Sequence, residues 1–204
     1  MLVIWGRANS VNVQKVLWCC EEIGLEYERI DAGGPFGIVD TPEYRARNPN
    51  GLVPTIDDDG FVLWESNAIV RYLAAKHSSR LWPTDPRRRA EADQWMDWSH
   101  TFWGALRTGF LGLIRTPPEQ RNEGAIAESL RKTEELLRLV DDHLRSRPYL
   151  AGDEFTIGDM PLGCGIWRWM ALPIERAARP NVVRWFERLG ERAAYRKIVM
   201  SPLT

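Results

Sequence analysis

A crowded turn at residues 48–54 is the strongest folding signal in the sequence. It contains Pro49, Gly51 and Pro54. Proline fixes its own φ and cannot donate a backbone hydrogen bond, so this composition predicts an irregular turn rather than a helix or a regular strand. If the Val53–Pro54 bond is cis, the N–H and C=O of Val53 remain free to pair with an extended peptide.

The residues after the turn predict a hairpin and then a helix. Short apolar runs at 54–56 and 61–64 flank an acidic segment that ends in a glycine, which is the pattern of a β-hairpin. Glu65 and Ser66 follow and begin a helix whose first free N–H groups accept a carboxylate. Glutathione has an extended peptide form, an α-amino group for Glu65 and an α-carboxylate for Ser66.

This order of turn, Val-Pro, hairpin, Glu-Ser and helix resembles the glutathione-binding half of the soluble, cytosolic-type glutathione S-transferases, of the bacterial serine/asparagine type. The resemblance covers essentially the whole chain. It implies an α/β N-terminal thioredoxin-like domain with a mixed four-stranded sheet in the order βαβ-α-ββα, and an all-α C-terminal domain. It also implies a glutathione site on the first domain and a variable acceptor site between the two.

Composition sets the expected domain boundaries. Residues 78–86 contain two prolines and show no periodicity, as is typical of a linker. We therefore expect a thioredoxin-like, glutathione-binding domain at 1–78, a linker at 79–86 and an all-helical domain at 87–204.

Apolar periodicity predicts the individual elements. A strand at 2–5, a helix that stops at Gly24 and a strand at 25–30 form a β-α-β unit. In the helical half, we expect long helices at about 87–116 and 119–146. Thr156 and Asp159 predict a capping box, in which Thr156 accepts from the N–H three residues on and Asp159 reaches back to the cap N–H.

Charge and cysteine content narrow the class of protein. The 204 residues carry 27 basic and 28 acidic side chains, which gives no reason to expect nucleic acid or an anionic membrane as a partner. Three cysteines, an odd number without metal-ligand spacing, argue against a disulfide framework and against a metal site. We expect a cytoplasmic protein.

The start of the first helix carries the candidate catalytic residues. Thioredoxin-like redox enzymes have Cys-x-x-Cys there, whereas residues 9–12 read Asn-Ser-Val-Asn. Cys19 and Cys20 lie inside the helix and are expected to be packing residues, so the thiolate must come from the substrate. By the resemblance, Ser10 corresponds to the catalytic serine of the serine-type classes, with Asn12 assisting; each is alternatively a plain helix cap or first-turn residue.

The resemblance also assigns the binding residues. Val53, Pro54, Glu65 and Ser66 would hold glutathione, and Asn50 is a looser candidate for its glycyl carboxylate. The acceptor pocket is expected between the domains, where an aromatic wall favours a flat or apolar acceptor. Its candidate residues are Phe36, Trp98, Phe102, Trp103 and Arg107. Arg7 would aid either an anionic acceptor or glutathione.

The resulting hypothesis is a homodimeric glutathione transferase that activates glutathione as a thiolate for attack on an electrophile. One alternative is glutathione-dependent disulfide or peroxide reduction, which Ser10-x-Asn12 leaves open. Another is a non-catalytic, transferase-like interaction module, which would predict a degraded glutathione site. A zeta-like isomerase is disfavoured because its serine- and cysteine-rich loop is missing.

Overall fold

The computed structural model describes residues 1–77 and 80–204. Its N-terminal part is a four-stranded sheet with strand order β2-β1-β3-β4. β1 and β2 are parallel, and the β1–β3 and β3–β4 pairs are antiparallel. The strands are β1 (Leu2–Trp5), β2 (Tyr27–Ile30), β3 (Thr55–Asp58) and β4 (Phe61–Trp64). The predicted mixed sheet is confirmed.

Three helices accompany this sheet: α1 (Val11–Ile23), α2 (Pro42–Arg47) and α3 (Ser66–Lys76). Gly24 ends α1 in a left-handed conformation, with φ 67°, where its N–H bonds the carbonyl oxygens of Cys20 and Glu21. Thr41 caps α2 by accepting from the Tyr44 N–H. A single 3-10 turn, Gly34–Phe36, lies between β2 and α2.

Residues 80–204 are mainly helical. They form α4 (Pro86–Ile114), α5 (Glu123–His143), α6 (Asp159–Ala171), α7 (Pro180–Gly190) and α8 (Ala193–Ile198). α5 begins four residues later than predicted because residues 118–120 form a separate 3-10 turn. The predicted boundary between residues 78 and 79 lies outside the described residues.

One continuous core joins the sheet-containing half to the helical half. α1 packs against α3 on one side and against α6 and α8 on the other. Trp18 of α1 is completely buried, and its ring lies 5.3 Å from Phe155 and 4.7 Å from Tyr195. Burial of large aromatic surface of this kind fixes the two halves relative to each other.

The predicted capping box differs from the structure in one bond. Asp159 does reach back, accepting from the Thr156 N–H at 3.1 Å. Thr156, however, accepts from the Gly158 N–H, two residues on, because the Asp159 N–H bonds the Thr156 carbonyl instead. Asp159 also accepts from the Leu150 N–H and from the indole of Trp185. It therefore ties a loop and α7 to the start of α6.

No helix in the described ranges is long and apolar enough to cross a membrane.

Candidate active site

Sheet register brings the predicted site segments to one edge. Four residues stand in a row across that edge: Ile30, Trp5, Thr55 and Trp64. Ser10 follows β1 by a short turn, Val53 lies two residues before β3, and Glu65 directly follows β4. Because neighbouring strands are about 4.8 Å apart, the segments after β1 and β4 are separated by about 10 Å, with the Val53 turn between them. An extended tripeptide spans such a distance.

Ser10 is buried at the start of α1. Its carbonyl accepts the first helical bond, from the Gln14 N–H at 2.8 Å, but its side chain accepts no capping hydrogen bond. The hydroxyl lines a cleft between the two halves of the molecule, and the exposed Asn12 lines the same cleft. Ser10 therefore differs from an ordinary N-cap, whose oxygen is occupied by a helix N–H.

The Val53–Pro54 peptide is cis. Two buried side chains hold the turn before it: the Tyr44 hydroxyl donates to the Leu52 carbonyl at 2.7 Å, and Asn48 Nδ2 donates to the same oxygen at 2.8 Å. Both side chains also bond the Thr55 hydroxyl. Within the described residues, the Val53 N–H and C=O have no hydrogen-bond partner. They are thus available to pair with the backbone of a ligand.

Glu65 and Ser66 form the start of α3. Glu65 is exposed and has a φ of 73°, a conformation that costs a non-glycine residue about 1–3 kcal/mol and is concentrated at functional sites. Ser66 is only 6% exposed. Its hydroxyl oxygen accepts from the Lys15 ammonium at 3.3 Å, and so its own proton is free for another acceptor.

Lys15 is a buried cation behind this helix start. It is 1% exposed, and it donates to the side-chain oxygens of Ser66 and Asn67, both at 3.3 Å. No carboxylate lies within 4 Å of its ammonium in the described part of the chain. Burial lowers the pKa of Lys15 to about 8. Asn67 in turn donates to the Met96 carbonyl of α4, which couples the site to the helical half.

The cleft beside Ser10 has a volume of about 520 Å³. Trp103 and Phe110 give it an aromatic wall. Four arginines line it: Arg7, Arg107, Arg115 and Arg168. Among the described residues, no Asp or Glu lines it. The cleft is therefore strongly cationic, a feature that no local sequence pattern indicates.

Only part of the predicted acceptor pocket lies at this cleft. Trp103 and Arg107 line it. Phe102, the next residue along α4, points about 100° away and is fully buried in the core. Trp98 packs edge-on against Trp95, with ring centroids 5.2 Å apart, and Phe36 is 49% exposed on its 3-10 turn. These three residues do not line the cleft.

Asn50 also lies apart from it. The residue is exposed, and both its backbone N–H and its side-chain amide donate to Asn48 Oδ1, at 3.1 and 3.2 Å. The amide group therefore braces the turn that precedes Val53. In that same turn, the buried Asn48 holds the Leu52 carbonyl.

A thioredoxin-like sheet domain that faces a helical domain across a cleft is the arrangement of one class of transferases. These transferases use the thiol of a bound peptide as the reacting group. The comparisons with known proteins make this specific. The sequence matches the N-terminal domain of glutathione S-transferase over residues 9–76 and its C-terminal domain over residues 103–193. The chain belongs to the glutathione S-transferase family.

Individual relatives match along their full length. Glutathione S-transferase GstB of Escherichia coli (strain K12) is 47% identical, with all of both chains covered. A probable glutathione S-transferase of rice, GSTF1, is 30% identical over 98% of this chain and 96% of its own. The crystal structure of the theta class glutathione S-transferase from Xanthomonas axonopodis pv. citri, with glutathione bound, superposes with a TM-score of 0.97. It is 51% identical and covers 100% of this chain and 99% of its own.

Proposed function

We propose that this protein is a glutathione transferase that binds glutathione along the sheet edge and activates its thiol beside Ser10. The observation that carries the proposal is the Ser10 hydroxyl, which is buried at the start of α1, lines the cleft and has no hydrogen-bond partner among the described residues. A thiolate placed there accepts one hydrogen bond from Ser10 and meets the positive end of α1. Asn12, two residues further on in the first turn of α1, supplies a second donor.

The remaining contacts follow from the edge geometry. The Val53 N–H and C=O pair with the ligand backbone, with Pro54 holding the turn. Glu65 receives the α-amino group, and Ser66 with the α3 N-terminus receives the α-carboxylate. Lys15 is a positioning residue in this arrangement: it holds the Ser66 oxygen as an acceptor, which directs the hydroxyl proton toward the carboxylate.

The magnitudes suffice for this mechanism. A thiol with a pKa of about 8.5 is only about 3% ionised at pH 7. Lowering its pKa by about two units takes about 2.7 kcal/mol. One hydrogen bond to a charged sulfur contributes about 1.5–3 kcal/mol and a helix N-terminus about 0.3–1 kcal/mol more. Ser10 and α1 together therefore supply the activation.

The test is a titration of the ultraviolet thiolate absorbance of bound glutathione in wild type, Ser10→Ala and Asn12→Ala, with the exposed Ser146→Ala as the matched control. We expect a bound-thiol pKa at least one unit below that of free glutathione in wild type and in the control, restored by Ser10→Ala. A bound thiol with the pKa of free glutathione would refute the transferase mechanism and favour the non-catalytic module.

We also propose a cytoplasmic homodimer, as is common in this family. The sheet supplies a surface that supports it: β4 is an edge strand, and it exposes 49% of Phe61 and 37% of Trp64. Sedimentation equilibrium should give twice the chain mass of 23.5 kDa. A concentration-independent mass of one chain would contradict the homodimer.

A further inference from the structure

The cleft beside Ser10 gathers more positive charge than glutathione can neutralise. Arg7 comes from the turn after β1, Arg107 from the C-terminal half of α4, Arg115 from the position directly after α4, and Arg168 from α6. In the described part of the chain, none of the four has an Asp or Glu oxygen within 4 Å. Like charges gathered without counter-charges raise the energy of the free protein, so the cluster needs a separate explanation.

Arg168 is the clearest case. Its side chain is 6% exposed. Within residues 1–77 and 80–204, its guanidinium donates only to the main-chain oxygens of Cys164 and Asn9, both at 3.1 Å. It lies 5.8 Å from the centre of the Trp103 ring. Burial, together with the charges of Arg115 and Arg7, lowers the pKa of Arg168 to about 10. Holding such a cation in place costs stability unless an anion joins it.

Arg7 and Arg115 extend the positive field along the cleft. The Arg7 side chain lies against Gly33 and Gly34, where added Cβ atoms would be 3.4 Å from it. Its pKa is lowered by partial burial and by the charge of Arg115. Arg115 donates through Nε to the main-chain oxygen of Thr204 at 3.0 Å. In the described part of the chain, this bond leaves the terminal NH₂ groups of the Arg115 guanidinium available.

Glutathione accounts for one of these cations at most. It has two carboxylates, and the α-carboxylate belongs to Ser66 and Lys15, which do not line this cleft. Arg7, on the sheet-containing half, lies against Gly33 as Val53 does, and we assign it to the glycyl carboxylate. Arg107, Arg115 and Arg168 project from the helical half, across the cleft from the Val53 turn. They remain for the second substrate.

We infer that the acceptor of this transferase is an anionic electrophile, an aromatic or small organic acid whose carboxylate meets the arginine cluster while Trp103 and Phe110 contact its apolar part. The inference rests on the proposed function and replaces the expected apolar acceptor with an acidic one. In the reaction, the glutathione sulfur forms a bond to the electrophilic carbon as the bond to the leaving group breaks. The leaving group departs with the bonding pair, and the thiol proton passes to solvent.

Binding of a matched pair of unreactive probes tests this inference separately from catalysis. Equilibrium dialysis would compare 3,5-dinitrobenzoate with 3,5-dinitrobenzamide, which have nearly the same shape and differ in charge, with saturating S-methylglutathione filling the peptide site. We expect the anion to bind roughly tenfold more tightly, as for one charge-assisted hydrogen bond. The preference should shrink as salt is raised. Equal affinities for the two probes would overturn the inference.

Arg107→Gln locates the preference, since the Arg107 side chain is exposed in the cleft and makes no hydrogen bond in the described part of the chain. It should reduce the ratio of anion to amide affinity several-fold. Arg138→Gln makes the same charge change on the outer face of α5, outside the cleft, and should leave the ratio unchanged. Equal effects of the two substitutions would show a general charge effect and refute the assignment.

Rates with 4-chloro-3,5-dinitrobenzoate and its amide then connect the site to the reaction. Each kcat/KM is divided by the uncatalysed rate constant with glutathione, and the anion should show the larger acceleration. An anion preference in dialysis with an unshifted glutathione thiol would leave the anion site standing and refute the proposed function. A shifted thiol with acceleration of the amide alone would refute the anionic acceptor and leave the transferase standing.

Discussion

The Lys15 ammonium lies 3.3 Å from the Ser66 hydroxyl oxygen, and both side chains are almost completely buried. An ammonium group has only donors, so Ser66 must use a lone pair for this bond and keep its proton for something else. The nearest use for that proton is an anion at the start of α3. In the proposed binding mode, that anion is the α-carboxylate of glutathione, and Lys15 places a buried positive charge behind it.

Lys15→Met should weaken glutathione binding without destabilising the fold. Losing the hydrogen-bonded cation behind Ser66 should reduce affinity for S-methylglutathione about tenfold or more, measured by isothermal titration calorimetry. The free energy of unfolding at pH 7 should rise, because the substitution removes a buried charge. Burial lowers the Lys15 pKa from 10.5 to about 8, which means that the charged form destabilises the folded state by up to about 3 kcal/mol. Lys132→Met, on an exposed face of α5, is the matched control and should change neither quantity appreciably.

Glutathione affinity should also fall as the pH rises through about 8, where Lys15 titrates. A bound carboxylate favours the charged ammonium, so binding is strongest below this pH and weakens above it. Among the groups near Lys15, Glu65 raises its pKa and Arg168 lowers it. The pKa of Arg168 is about 10 and that of Cys164 about 12, both above the pH range of the experiment. Titrations of S-methylglutathione between pH 7 and 9 should show a steeper loss in wild type than in Lys15→Met, in which only the ligand amine titrates. Parallel profiles would contradict this role for Lys15.

The sheet edge was predictable because its signals are local. A turn rich in proline, two short apolar runs and Glu65-Ser66 lie within a few residues of one another, and strand pairing then places them side by side. The role of Lys15 was not predicted, because the ammonium group of a lysine inside an apolar helical pattern ordinarily reaches solvent. The position of α3 in the structure is needed to show that the Lys15 ammonium contacts Ser66.

The cationic cleft was not predictable, since it depends on which helix faces meet across the domains. Trp103 and Phe102 are adjacent in the sequence, yet one lines the cleft and the other is in the core. Arg168 lies more than fifty residues after Arg115, and no local pattern joins them. The periodicity of a helix predicts which of its faces is apolar. It does not predict which residues from another part of the chain pack against that face.

Asp159→Asn should destabilise the protein although it preserves the shape of the side chain. One carboxylate oxygen accepts from Leu150 N–H and Trp185 Nε1, and the other accepts from Thr156 N–H. An amide group in either orientation sets its NH₂ against at least one of these donors, which costs about 1–3 kcal/mol. Urea unfolding followed by circular dichroism measures the change.

The pH dependence of that variant gives a second readout. Burial raises the Asp159 pKa to about 6, so the folded state holds this proton more tightly than the unfolded state does. The contribution of Asp159 to stability is therefore greatest below the ordinary carboxyl pKa and is lost as pH rises toward 6. The difference between wild type and Asp159→Asn should change across pH 4–6 and stay level above it. A level difference throughout would show that the carboxyl pKa is not raised by burial.

Gly163→Ala tests the packing that joins the two halves of the molecule. A Cβ at this position of α6 would lie 2.9 Å from Trp18 Cζ3 and 3.1 Å from Leu189 Cδ1. The Trp18 ring cannot easily yield, because it is fully buried and its indole N–H donates to Glu22 Oε1 at 2.8 Å. We expect the free energy of unfolding to fall by about 1–3 kcal/mol, as in other overpacked cores.

Gly104→Ala is the matched control, for stability alone. It makes the same change inside α4. There, apart from its chain neighbours and the adjacent backbone of α4, no atom of the described residues lies within 4 Å of the added Cβ. It should stabilise the protein by about 0.5–1 kcal/mol, because glycine has a lower helix propensity than alanine. Both variants would be unfolded in urea at one protein concentration, because an oligomer makes the midpoint depend on concentration. Gains of similar size in the two variants would show that α1 and α6 are not in close contact at Trp18. A fall in the free energy of unfolding for Gly163→Ala and a rise for Gly104→Ala would support close packing of α1 against α6 at Trp18, a contact that joins the glutathione-binding half to the helical half.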